Sequence, residues 1–505
     1  GDTDHAEADL LDNYRPCLLT EDLSFADGQI LDEVYVYGSF IQSKMYRNGV
    51  RCSDCHDVHS AELVDEGNKI CLQCHRAGEY DTGEHHFHKQ EGEEGDPIRS
   101  AGGEVLFAVG TGAECVQCHM PGRYYMGNDY RPDHSFRIPD PSLSAAIGAP
   151  DACLRCHVDQ DSMWSQQAVL DWYGPGQRSH YGTILARGRN GDADAGEDLR
   201  RLAGDVLYPV NVRATALSLL VAYPGQETLQ AMEIALLDDE ALLRHTAVLN
   251  INPPTPARLA ELVSPLLYDP AKTVRIEAAR RLVGDMARFV HPDHKAPFQL
   301  AIAELENSML YSADFASARH NLGNFYARLD RAGDATRQYE EAIRIDDQFY
   351  PAKANLAVLY SQQGRNREAE QLLRSALQQQ PDLYDLAYSL ALLLVEEQQY
   401  SEALSYLEQA AAGLPERARI HYNLGLLHQF MQDLQAAENS LRTALALEPG
   451  NLDYQVALAD HYLKRGRYQD ALPIVEQMMA MHPGNPVGRQ MLEFIQSQLN
   501  AGTRK

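Results

Sequence analysis

The sequence predicts a mostly α protein, with an irregular, cysteine-rich N-terminal domain followed by an α-solenoid. Three observations carry this reading. All nine cysteines lie before residue 157. Small residues recur every 34 positions from Gly323 onward, the rhythm of a two-helix unit. A second spacing, of 31 residues, relates Val212-Arg213, Leu243-Arg244 and Val274-Arg275. The expected domains are residues 1–180, 181–295 and 296–505.

A chain of 505 residues is too long for one ordinary core, which agrees with several domains. It carries 44 Lys and Arg against 72 Asp and Glu, a net charge of −28. That balance argues against a general nucleic-acid binder, whose affinity comes from clustered cations. It suits a soluble extracytoplasmic protein with a basic partner. No run approaches the ~18 apolar residues of a membrane span. The chain opens on Gly1-Asp2-Thr3-Asp4 with no basic-then-apolar leader, so the expectation is that a signal peptide has been removed or that the chain is part of a longer product.

Residues 1–180 are rich in Gly, Pro, Asp and His and weak in helical periodicity. They hold four C-x-x-C-H motifs: Cys52, Cys55 and His56; Cys71, Cys74 and His75; Cys115, Cys118 and His119; and Cys153, Cys156 and His157. Two thiols at this spacing reach the two vinyl groups of one porphyrin, and the following histidine sits below the iron. Zinc sites and disulfides need no histidine directly after each pair, yet all four pairs have one. The expectation is four covalently attached haems c. Haem attachment is extracytoplasmic chemistry, so a periplasmic or extracellular location follows. Cys17 is the odd thiol, expected as a buried free cysteine, with an intermolecular bond as the alternative.

The second axial ligand separates electron transfer from catalysis: a bis-histidine haem is closed, whereas an open position can bind substrate. The candidates are His59, three residues past His56; the cluster His85, His86 and His88 around Phe87; His134; and His180. His5 is a weaker candidate, as are Met45 and Met120, the latter expected to pack on a porphyrin. These histidines are enough to close all four haems.

Residues 181–295 carry Ala216, Ala247 and Ala278 in phase with the 31-residue spacing, which resembles short HEAT-type helical repeats. Farther on, Gly323, Ala357, Ala391, Gly425 and Ala459 form one set 34 residues apart. Ala335, Ala369, Ala403, Ala437 and Ala471 form a second, and Tyr339, Leu373, Leu407, Leu441 and Val475 a third. Pro381, Pro415, Pro449 and Pro483 close four units. This resembles tetratricopeptide repeats, with small residues letting paired helices approach and prolines stopping the second helix. The segment from Phe298 to Met309 is expected as the last helix of a degenerate preceding unit. Asn321, Asn355 and Asn423 recur at one helix position, expected either to bond a peptide backbone or to lie on a solvated face.

Several stretches resemble bacterial multihaem c-type cytochromes fused to tetratricopeptide repeats. They are Ala26 to Tyr35, Gly38-Ser39-Phe40, Gly49 to Ser60, His85 to His88, Cys118-His119-Met120-Pro121 and Asp133 to Pro139. The Cys-His-Met-Pro element is similar to that of pentahaem nitrite reductases and hydroxylamine-oxidoreductase-like cytochromes. There a later histidine is a distal ligand, which implies that role for His134. No C-x-x-C-K site is present, so the lysine-ligated catalytic haem of the nitrite reductases is not implied. The leading expectation is electron transfer through closely packed haems, with the solenoid docking redox partners or protein ligands. The alternatives are a subunit of an electron-conducting cytochrome polymer and an oxidoreductase acting on a small nitrogen or sulfur compound.

Overall fold

The computed structural model describes residues 10–100, 102–175 and 179–502. They fall in two compact units, one ending at Leu305 and the other beginning at Glu306. The protein is mostly helical, with a helical solenoid of tetratricopeptide type at its C-terminal end.

In the first unit, residues up to about 160 form short helical turns and two small antiparallel hairpins. One hairpin pairs Ile98–Arg99 with Val105–Phe107. The other pairs Gly122–Tyr125 with Asp129–Pro132, in the register Gly122 to Pro132 and Tyr125 to Asp129. Low periodicity and many Gly and Pro residues leave this segment few regular elements. Side chains tie it together instead. The Asn68 amide donates to Asp81 and to the Ala113 carbonyl, and its carbonyl accepts from Cys115 N.

Regular helices begin with Pro141–Ile147 and Ser162–Tyr173. Asp161 caps the latter by accepting from Trp164 N at 2.9 Å, and Gly174 ends it at φ +74°. Helices then alternate with short loops from Tyr181 to Leu282. The 31-residue spacing is a ladder of ion pairs here. Arg213 meets Asp238 at 2.6 Å, Arg244 meets Asp269 at 2.6 Å, and Arg275 meets Glu304 at 2.6 Å. Each guanidinium also donates to backbone carbonyls: Ala203 in the last turn of the Ala195–Gly204 helix for the first, Asp238 and Asp239 for the second, Asp269 and Pro270 for the third. Val212, Val274, Ala216, Ala247 and Ala278, in phase with these arginines, are fully buried.

The N-terminal strap runs along these helices. Leu18 packs against Ala214, Leu242 and Leu243, and Leu19 N donates to Thr215 Oγ1. Arg189 donates to the carbonyls of Leu19 and Ser24. Cys17 corrects the expectation of a buried thiol. It is exposed, because Leu18 and Leu19 take the inward positions of this extended segment.

In the second unit the 34-residue repeat is a stack of helix pairs. Its second helices end at Gln379, Gly413, Leu447 and Met481, two residues before Pro381, Pro415, Pro449 and Pro483. The small positions meet the large ones. A Cβ on Gly425 would lie 2.7 Å from Leu441 Cγ, and one on Gly323 would strike the Tyr339 ring. The segment around Phe298 lies in a helix spanning Lys295–Tyr311. Asn355 bonds His320 and Asn324, and Asn423 bonds Tyr388, so both link neighbouring repeats; Asn321 is exposed.

Candidate haem-binding site

Each C-x-x-C-H motif is one helical turn. The amide of His56 donates to Cys52 O at 2.9 Å, that of His75 to Cys71 O at 3.0 Å and that of His157 to Cys153 O at 3.0 Å. The third motif is the Cys115–His119 helix itself. Residues three and four apart on such a turn share a face, so both thiols and the imidazole point the same way. The turns follow one another in space. Cys55 lies within electrostatic reach of Cys74, Cys71 hydrogen-bonds Cys115, and Cys118 lies within electrostatic reach of Cys156. Arg155, inside the fourth motif, reaches Gln117 of the third and Tyr130 of the adjoining hairpin.

Three motif histidines face a histidine from elsewhere in the chain. His56 and His134 have ring centres 6.2 Å apart, His119 and His85 6.2 Å, and His157 and His88 6.1 Å. A metal–imidazole bond is about 2 Å and the ring centre lies roughly 1.1 Å beyond, so two axial imidazoles on one iron have centres about 6.2 Å apart. Each pair therefore fits a porphyrin iron between its rings. Two imidazoles at this spacing offer one nitrogen each, which suits axial ligation and not the four-ligand set of a zinc site.

The ring tautomers agree. Nδ1 of His56 bonds the Ala61 carbonyl, that of His134 the Pro132 carbonyl, that of His119 the Arg137 carbonyl and that of His88 the His86 carbonyl. Donation from Nδ1 leaves the Nε2 lone pair free for a metal. Burial pushes His85, His119, His134 and His157 below the usual imidazole range. They are thus neutral at pH 7, as ligands must be.

His75 is different: among the described residues its ring meets Tyr80 edge-on at 5.6 Å rather than a second imidazole, and the same Tyr80 is edge-on to His85 at 5.4 Å. His59 is exposed, with its backbone amide bonded to Asp57. His86 Nδ1 accepts from His88 N, and its Nε2 is buried without a hydrogen-bond partner among the described residues. His180 caps the Tyr181–Arg189 helix: its Nδ1 accepts from Gly182 N, and its ring stacks on Tyr181. His5 lies outside the described residues.

One short segment serves two pairs. Pro132 and Arg137 bond the imidazoles of His134 and His119 through their carbonyls, and the Arg137 amide donates to His119 O. Arg137 is itself 13% exposed, set between Asp27 and Asp133, and it donates to Gln42. Burial works against its charge, but Asp27, Tyr181 and Asp133 outweigh burial and hold it protonated.

Sequence reasoning missed Arg137 and the aromatic residues around the rings. Trp164 lies 4.7 Å from His157, and Trp172 stacks on Phe87 at 4.8 Å. The signal was present: the chain has two tryptophans, eight residues apart, and so on one face of a helix.

Residues 44–79 match the family of the doubled CXXCH motif. Residues 329–393 and 431–493 match one tetratricopeptide repeat family and residues 388–428 another. The doubled motif indicates covalently bound haem c. The chain thus combines a c-type haem-binding segment with tetratricopeptide repeats, which are protein-interaction modules. Among solved structures, MamA from Desulfovibrio magneticus RS-1 is 21% identical over 34% of this chain and 97% of its own, with a TM-score of 0.32. YrrB, described as a TPR protein with an unusual peptide-binding site, is 20% identical over 35% of this chain and 92% of its own, at 0.31. No curated protein matches the chain. Among the described residues, no helix is long and apolar enough to cross a membrane.

Proposed function

We propose that the chain is an extracytoplasmic electron-transfer protein that binds four c-type haems, mostly bis-histidine, and docks partners through its helical repeats. The observation that carries this is the set of three histidine pairs at axial-ligand spacing. Cys52, Cys55, Cys71, Cys74, Cys115, Cys118, Cys153 and Cys156 attach the haems, and His56, His75, His119 and His157 are the proximal ligands. His134, His85 and His88 are the distal ligands of the first, third and fourth. His59 and His86 are the candidates for the second.

Bound haem c supplies reversible one-electron exchange at iron. The chain's residues set its terms. Nδ1–H bonds to backbone carbonyls fix the rings of His56, His88, His119 and His134 and raise their basicity, which would favour the oxidised metal and lower the potential. Cysteines of successive motifs lie close enough to interact, so four attached groups would form a chain of near neighbours. On this reading the helices from Tyr181 to Leu282 are HEAT-like repeats. Cys118-His119-Met120-Pro121 with His134 relates the haem segment to the hydroxylamine-oxidoreductase-like cytochromes. An acidic surface would favour a cationic redox partner.

A second reading rests on His75, which meets Tyr80 edge-on. A haem left open there would support oxidoreductase chemistry on a small nitrogen or sulfur compound. One closed by His59 of a second copy would support a cytochrome polymer. Haem quantitation, electron paramagnetic resonance and light scattering of the exported protein test all three. Four haems, all low-spin, on a stable monomer are expected. Fewer attached haems, or bound zinc, would overturn the assignment. A high-spin, ligand-binding haem would select the enzyme, and filaments the polymer.

A further inference from the structure

The distal histidines of the third and fourth motifs sit three residues apart, on either side of Phe87. We propose that the Phe87–Trp172 stack is a clamp that holds His85 and His88 against two different motif histidines at once. The proposal rests on the haem reading above and makes Trp172 and Phe87 positioning residues for it.

The turn needs something to hold it. The Gly83–His86 helix ends at Phe87, whose φ of +55° is the left-handed conformation that a bulky residue rarely adopts. That reversal separates His85, which faces His119, from His88, which faces His157. A continued helix would instead place residues three apart on one side.

The compensating contacts come from one helix, Ser162–Tyr173. The Phe87 ring lies 4.8 Å from Trp172 and 1° from parallel, with Tyr173 edge-on at 5.5 Å. Trp172 is also edge-on to His88 at 6.1 Å, and Tyr173 Oη donates to the His85 carbonyl. The other end of the helix is fixed to the fourth motif. Trp164 packs on His157, and Ser165 Oγ donates to Asp151, which accepts from Cys153 N. One rigid element thus grips the proximal His157 at its start, and the His88 ring and His85 backbone at its end. Two tryptophans eight residues apart share the face this requires.

The test uses the full-length exported holoprotein and three variants. In Trp172→Ala, two haem equivalents should pass from low to high spin and bind cyanide, while the His56–His134 haem stays low-spin and haem content is unchanged. Trp172→Phe, which keeps an aromatic surface, should restore low spin. Phe87→Asn accepts the left-handed backbone without the ring, so it should reproduce Trp172→Ala and separate loss of the stack from relief of strain. If every haem in Trp172→Ala stays low-spin and inert to cyanide, or only one converts, or all convert together, the clamp is wrong. Wild-type protein without low-spin haem would instead overturn the underlying haem reading.

Discussion

The imidazole of His85 lies 6.2 Å from that of His119 and within 13° of parallel. The two rings come from separate segments and meet across a gap of the width one metal ion requires. His56 with His134 and His157 with His88 repeat the spacing, at ring angles of 30° and 37°.

If His85 and His134 are the distal ligands proposed, each should control one haem. His85→Gly and His134→Ala should each convert a single haem equivalent to high spin and raise its potential, because an imidazole that stabilises the oxidised iron is lost. Paramagnetic resonance with a redox titration reads both effects. His180→Ala should leave the spectrum unchanged and cost about 1 kcal/mol of helix capping. A new high-spin signal in that variant would make His180 a ligand.

Arg137→Met should destabilise the first unit by roughly 3–5 kcal/mol, the usual cost of removing one partner from a buried ion pair. Asp27 and Asp133, both buried, would be left without their cation. A lowered urea midpoint measures the loss. Stability within about 1 kcal/mol of wild type would mean that the carboxylates do not depend on this arginine.

Gly425→Leu should destabilise the tetratricopeptide stack by about 1–3 kcal/mol through overpacking against Leu441. Leu441→Ala in the same chain should recover part of the loss, since it vacates the space. Additive effects in the double-mutant cycle would show that the two positions do not touch.

Stability of the first unit should also fall on mild acidification. Burial first, then Arg15 and Arg280, pushes buried His245 down to about 4. The unfolded chain, titrating near 6.5, then binds the proton first. Stability is full above about pH 6.5 and falls as pH drops toward 4, by on the order of 3 kcal/mol. Glu277, 3.9 Å away, is a carboxylate placed to soften this. Denaturant melts of wild type and His245→Gln across this range check it. The variant should lack the slope.

Motifs confined to a single turn were legible from the chain alone. Cys115, Cys118 and His119 lie within one turn, so their relation is set by backbone geometry and needs no tertiary contact. The 34-residue repeat was legible for a similar reason: Gly425 and Leu441 meet within one helix pair, and every unit repeats that contact. Cys17 was misjudged because burial of an extended strap depends on which side chain faces the helices beside it, and Leu18 does. Arg137 was passed over because its importance lies in its neighbours: Asp27 comes from a distant loop and His119 from the third motif.

By itself the sequence determined the covalent chemistry of the haem segment and the repeat class of the solenoid, because both are written in short-range spacings. It also narrowed the candidates for distal ligand to a handful of histidines. Only the tertiary structure decided which of them meet. His85 and His88 are nearly adjacent in the chain, yet they part at Phe87, whose left-handed turn is held by a helix that begins at Ser162. Pairing across such distances depends on packing between segments, and residue spacing carries no record of it.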